Sequence, residues 1–88
     1  MNMKLNKNFL VHKTGNHTVV VPTGNAGFSG VIQGNETLAV ILDLMKKDTT
    51  EQKIIDTMVQ QYDAPREEIE KDVISVIGRL RKIGAIDE

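Results

Sequence analysis

The sequence predicts an α+β domain in which a three-stranded antiparallel sheet precedes three helices. Its 88 residues suit a single domain. Residues 9–34 contain short β-branched runs separated by glycine-rich turns, which are typical of antiparallel strands. Residues 36–83 instead repeat apolar residues at helical spacing. We therefore expect residues 9–88 to form the domain and the polar residues 1–8 to form a flexible N-terminus.

The strands are predicted from three runs with turn residues between them. "FLVHK" and "HTVVVP" form a hairpin across "TGN". The third run extends from Phe28 to Gln33 and carries no charge. Its alternation gives two faces, one with Phe28, Gly30 and Ile32 and the other with Ser29, Val31 and Gln33. An uncharged edge strand invites pairing, so we expect either another strand or a partner chain to cover it.

Each helix is predicted from its capping residues. Asn35 is a good N-cap for the first helix, which extends to about Met45. A threonine, at position 49 or 50, begins the second helix, which ends near Tyr62. The third helix spans about residues 65–83, because Pro65 suits a first turn and Gly84 suits a C-terminal cap.

The third helix carries one apolar stripe that predicts its buried face. The stripe consists of Ile69, Val73, Val76, Leu80 and Ile83, spaced alternately by four and three residues. Ile74 lies off this stripe, and Gly78 interrupts the helix at a cost of about 1 kcal/mol relative to alanine.

Composition disfavours several classes of partner. A net charge of -1 and 3% aromatic residues offer neither bulk attraction for nucleic acid nor stacking platforms for bases. No apolar run approaches the roughly 20 residues that span a bilayer. The absence of cysteine and of a signal peptide fits a cytoplasmic protein.

We find no pattern that predicts catalysis, a metal site or a bound cofactor. His12 and His17 are the histidines of the chain, and a zinc site needs three or four converging ligands. Neither GxGxxG nor GxxxxGK[ST] is present. The protein is therefore expected not to be an enzyme.

Strands followed by three helices also describe a winged helix-turn-helix, which many DNA-binding regulators use. In such a regulator the N-terminal residues of the third helix would contact bases in the major groove. Here that end carries acidic residues, namely Glu67, Glu68, Glu70 and Asp72, which phosphates would repel. A DNA-binding regulator stays open as an alternative.

Three segments resemble a known family when they are taken together. They are "GVIQGNETLAVILDLM" at residues 30–45, "TEQKIIDTMVQQYD" at 50–63 and "DVISVIGRLRKIGAID" at 72–87. In this order and spacing they resemble the PqqD-like family, named after the pyrroloquinoline quinone biosynthesis protein D and also described as the precursor peptide recognition element. Many members carry a tryptophan where this chain has Leu42. The resemblance therefore implies a role in either the quinone pathway or another peptide pathway.

The resemblance implies a peptide-binding protein without catalytic activity. Such proteins bind the leader segment of a ribosomally made precursor peptide and present it to a modifying enzyme, often a radical SAM enzyme. The leader pairs as an extra strand with the third strand and lies against the third helix. Carried onto this chain, the pairing residues are Phe28, Ser29, Gly30, Val31, Ile32 and Gln33.

The same resemblance suggests an opposing wall on the third helix. Ile74 is expected to form an apolar floor, Gly78 to give clearance and Arg81 to pair with an acidic leader residue. Structural roles are the alternative for each residue: Gly78 would then only let the helix pack closely and Ile74 would only border the core. A homodimer that pairs through the third strand also stays open, because it would use the same edge.

Overall fold

The computed structural model describes residues 2–23 and 31–88 of the chain. Eight elements follow in chain order: β1 (Lys4–Leu5), β2 (Phe9–Thr14), β3 (His17–Pro22), β4 (Ile32–Gly34), α1 (Glu36–Leu44), α2 (Glu51–Gln61), α3 (Arg66–Lys82) and β5 (Ile86–Asp87). Strands β2, β3 and β4 form an antiparallel sheet in that order. The predicted class, a three-stranded antiparallel sheet followed by three helices, is confirmed.

The helix ends follow the predicted capping residues except at Pro65. The side chain of Asn35 accepts a hydrogen bond from the backbone N–H of Thr37, and that of Thr50 accepts one from Lys53. Pro65 occupies the N-cap of α3 and not its first turn, where it was expected, and no side chain caps this helix. Gly84 follows α3 with φ at +76°, a conformation that favours glycine. Local chemistry therefore sets these helix boundaries.

The N-terminal segment is integrated into the fold, which the sequence did not predict. Strand β1 pairs with β5 to form a second, two-stranded sheet. Met3 is buried and exchanges backbone hydrogen bonds of 2.7 and 2.9 Å with Thr49, between α1 and α2. Asn6 donates its backbone N–H to the carbonyl of Ala85, which is fully buried. The N-terminal segment thus bonds both to the loop between α1 and α2 and to the residues that follow α3.

One apolar core, mainly aliphatic, connects the sheet and the helices. It contains Val20 and Ile32 from the sheet, together with buried side chains of all three helices. The predicted stripe of α3 lies in it: Ile69, Val73, Val76 and Leu80 are buried, and Ile83 packs against the cluster. No buried side-chain nitrogen or oxygen in the described residues lacks a hydrogen-bond partner. Through Ile32, the core anchors β4 beside β3 and α1.

Candidate functional site

Strand β4 lies at an edge of the three-stranded sheet. Among the described residues, β3 is its one paired neighbour, so its second edge is open. Ile32 points into the core, whereas Gln33 on the opposite face is exposed. This alternation agrees with the faces predicted for the third strand. Asn35 caps α1 immediately after β4, so the open edge ends at the helix.

The hairpin turn determines which backbone groups of β4 face the open edge. Gly15 and Asn16 connect β2 to β3 in a two-residue turn, with the φ of Gly15 at +58°. The residues that flank such a turn form a hydrogen-bonded pair, and the pairs alternate from there along both strands. This alternation turns the backbone groups of Ile32 and Gly34 toward β3 and those of Gln33 toward the open edge. Val31 precedes β4, and continuing the same alternation by one residue predicts that its N–H also faces the open edge.

A contact from α3 agrees with this assignment. The guanidinium of Arg79 donates a hydrogen bond of 3.0 Å from Nη2 to the backbone carbonyl of Gln33. The two residues are 46 positions apart in the sequence. The carbonyl therefore points away from β3 and toward α3, as the alternation requires.

A groove separates the end of β4 from α3. It encloses about 210 Å³, more than the ~150 Å³ of a cavity that accommodates benzene, so it has room for a peptide side chain. Gly34 and Leu38 line one side of it. The other side belongs to α3 and consists of Asp72, Ser75, Val76 and Arg79.

Gly34 lets β4 pass close to α1 at the floor of this groove. A Cβ atom at position 34 would lie 2.8 Å from Cδ2 and 2.9 Å from Cβ of Leu38. Such distances are shorter than van der Waals contact, so only glycine fits without displacement of the helix or the strand. The position of β4 beside the groove thus depends on this residue.

The structure describes only the second half of the strand predicted for peptide pairing. Val31, Ile32 and Gln33 lie along the open edge, and the side chain of Val31 is 53% exposed. Phe28, Ser29 and Gly30, the first half of the predicted strand, lie outside the described residues. The structure extends the strand at its other end to include Gly34.

The α3 residues predicted as the opposing wall lie on another face of the helix. Ile74 is 54% exposed, and a Cβ atom at Gly78 would have no neighbour within 4 Å. At 3.6 residues per turn, these residues and Arg81 are centred roughly 140° around the helix from the groove residues. Neither Ile74, Gly78 nor Arg81 lines the groove between β4 and α3. Their role in peptide binding remains a prediction without support from this placement.

Arg81 has a partner within the chain. Its Nη2 lies 2.8 Å from Oε1 of Glu88 in an exposed ion pair. Hydrogen bonding to Glu88 raises the pKa of Arg81, and the same contact lowers the pKa of the Glu88 carboxyl. This arginine therefore links the end of α3 to the C-terminal residue.

Asp72, Ser75, Val76 and Arg79 were not singled out as a binding surface from the sequence. They follow one another by three, one and three residues, which places them on one face of a helix. This face borders the core stripe on one flank, and the predicted face borders it on the other. The spacing was a usable signal, but it does not tell which flank faces β4.

The described residues contain neither a group of three potential metal-ligating side chains nor a helix that is long and apolar enough to cross a membrane. His12 and His17 belong to adjacent strands and pair with Val19 and Thr14. The candidate site therefore consists of the open edge of β4 and the groove beside it.

Comparisons with known proteins agree with the resemblance seen in the sequence. Residues 17–86 match the family described as Coenzyme PQQ synthesis protein D (PqqD). A comparison with curated proteins finds no significant match. The fold is similar to that of TbiB1 in complex with the TbiA(beta) leader peptide, at 13% identity and a TM-score of 0.75, over 96% of this chain and 94% of that chain. It is also similar to lasso peptide synthetase B1 complexed with the leader peptide, at 19% identity and a TM-score of 0.75, over all of both chains.

Proposed function

Because the chain belongs to the family of coenzyme PQQ synthesis protein D, we propose that it binds the leader segment of a ribosomally made precursor peptide. The leader pairs as an additional antiparallel strand with the open edge of β4. Its side chains on the core side of the sheet enter the groove beside α3. Both similar structures contain a leader peptide, which supports this class of ligand.

The open edge of β4 is the observation that carries the proposal. An exposed, uncharged strand edge is normally protected, because it can template unwanted pairing. In this chain the exposed edge residue Val31 is apolar, and the groove begins at Gly34, at the end of β4. Backbone hydrogen bonds would supply affinity, and the groove would supply the preference for particular side chains.

We infer that the protein delivers the bound peptide and catalyses no reaction itself. The modifying enzyme, of radical SAM or another class, is a separate partner that acts on the peptide held by this chain. We place this step in the cytoplasm, where precursor peptides are translated. Neither a cofactor nor a metal is needed for strand pairing.

DNA binding gains no support from the structure. The first turn of α3, which would contact bases in a winged helix-turn-helix regulator, contains Glu67 and Glu68. Three of the five basic residues of α3 lie in its last turn instead, and Arg66, at its start, forms ion pairs with Asp56 and Glu70. Pairing of two copies through β4 would use the edge required for the leader, so the two kinds of pairing are mutually exclusive.

The test begins with a displayed library of random peptides of about 12 residues, each about 40 Å long when extended. That length exceeds the largest dimension of the described fold, 38 Å. We expect selection with the wild-type protein to enrich peptides of defined pattern. A labelled, enriched peptide should then shift the amide NMR signals of Val31 and Gln33 and leave those of the β2 edge unchanged.

Three results would overturn the proposal. The first is a selection that enriches no peptide. The second is a set of signal changes confined to the β2 edge. The third is a stable dimer, seen by sedimentation, that pairs through β4 and that an excess of enriched peptide leaves intact.

A further inference from the structure

Arg79 differs from the other arginines of the chain in its surroundings. Arg66 lies 2.8 Å from a carboxylate oxygen of Asp56, and Arg81 lies 2.8 Å from one of Glu88. Within residues 2–23 and 31–88, no carboxylate forms a salt bridge with Arg79. Its guanidinium instead contacts a backbone carbonyl at the open edge. The positive charge of Arg79 thus lies beside the open edge of β4, and no carboxylate of the described residues neutralises it.

The hydrogen bond to Gln33 holds this guanidinium where a peptide would pair. A carbonyl oxygen has two lone pairs, so the oxygen of Gln33 can accept from Arg79 and from a peptide N–H at the same time. The contact uses Nη2, and a guanidinium has five N–H donors in a planar fork. The remaining donors can meet a carboxylate, whose two oxygens match that fork.

Building on the proposed function, we propose that Arg79 makes the groove selective for peptides with an aspartate or glutamate at one defined position. The peptide residue that pairs with Gln33 points its side chain to the same exposed face as Gln33. Its two neighbours point to the opposite face, where Ile32 is buried and the groove begins. The acidic residue is therefore one of the two neighbours of the residue that pairs with Gln33.

Asp72 restricts the register in which an acidic peptide can bind. It lines the same groove as Arg79, seven positions earlier in α3. Seven residues correspond to about 10 Å along a helix axis. The groove thus carries a negative charge at one end and a positive charge at the other. A peptide shifted toward Asp72 would place its carboxylate next to a like charge, which disfavours that register.

The experiment compares charge reversal at two arginines of the same helix. The random peptide library is selected in parallel with the wild-type protein, with Arg79→Glu and with Arg81→Glu as the matched control. We expect the wild type to enrich aspartate or glutamate at one position, and Arg79→Glu to enrich lysine or arginine there. Arg81→Glu should keep the wild-type preference, because Arg81 lies on the other flank of α3.

Binding measurements quantify the same preference with one enriched peptide. Replacing its acidic residue by the matching amide should weaken binding to the wild type by about fivefold. The same replacement should change nothing for Arg79→Gln, which keeps a polar side chain but has no charge. The wild-type difference should shrink at high salt, because the pair lies near the surface.

The outcomes separate this inference from the function on which it rests. If the wild type enriches no peptide, the proposed function itself fails. If peptides are enriched but Arg79→Glu and Arg79→Gln keep the acidic preference, the role of Arg79 is refuted and the proposed function stands. A loss of that preference in Arg81→Glu but not in Arg79→Glu would move the selectivity to the opposite face of α3.

Discussion

Proline at position 31 tests strand pairing most directly, because it removes one backbone donor from the open edge. The Val31 side chain is 53% exposed, and the residue precedes the paired positions Ile32–Gly34. The substitution therefore breaks no pairing to β3. We expect the free energy of unfolding to change by less than about 0.5 kcal/mol, as for most surface substitutions.

The loss of peptide affinity follows from the missing N–H. A backbone hydrogen bond contributes about 1 kcal/mol net, and the peptide carbonyl left without a donor adds about 1 kcal/mol or more. A total of about 2 kcal/mol weakens binding about 30-fold. Fluorescence anisotropy with a labelled peptide enriched by the wild type measures this change, and thermal unfolding followed by circular dichroism verifies the fold.

Two matched variants isolate the cause of that loss. Val31→Ala shortens the side chain but keeps the N–H, so it should bind nearly as well as the wild type. Val11→Pro removes an N–H from the opposite edge of the sheet, on β2, where the hairpin alternation turns Val11 outward. Unchanged affinity in Val31→Pro, or an equal loss in Val11→Pro, would refute pairing at β4.

Three further predictions concern stability. Gly34→Ala should destabilise the fold by about 1–3 kcal/mol through overpacking. Gly78→Ala has open space around the new methyl group and should stabilise the fold by up to about 1 kcal/mol. Equal melting temperatures of the two variants would contradict the close approach at Gly34. Met3→Ala should cost about 2–5 kcal/mol in urea unfolding if the N-terminal segment belongs to the core, and a negligible cost would contradict that burial. The pKa of Glu88 lies below its ordinary 4.5 because Arg81 hydrogen-bonds to it, so Arg81→Ala should raise it toward that value in an NMR titration. The contact stabilises the fold at pH values above the pKa of Glu88 in the unfolded chain, and this stabilisation is lost as the pH falls through the lower pKa of Glu88 in the folded chain. An unchanged pKa of Glu88 in Arg81→Ala would rule out the contact.

The helix boundaries could be predicted from the sequence because their causes are local. Asn35 and Thr50 cap backbone N–H groups two and three residues away, and Gly84 supplies the conformation that ends α3. Apolar spacing likewise located the buried face of α3. Interactions of this range leave a pattern within a few residues, and that pattern can be recognised without knowledge of the fold.

The role of the N-terminal segment could not be predicted, because its partners are distant in the sequence. Met3 bonds to Thr49, and Asn6 bonds to Ala85 and, through its side chain, to Asp87. The segment itself is short and largely polar, which is typical of a frayed terminus. Its order arises from strand pairing across almost the whole chain, and no local pattern records such pairing.

The same limit explains why the α3 residues predicted to face a peptide do not line the groove beside β4. The core stripe of α3 has two borders, and both carry residues that could contact a peptide. Only the packing of β4 decides between them, and it places Arg79, not Arg81, beside Gln33. The flank that faces the strand carries charges at both of its ends and an apolar residue, Val76, between them. Backbone pairing along β4 is insensitive to sequence, so these charges are the part of the groove able to distinguish one peptide from another.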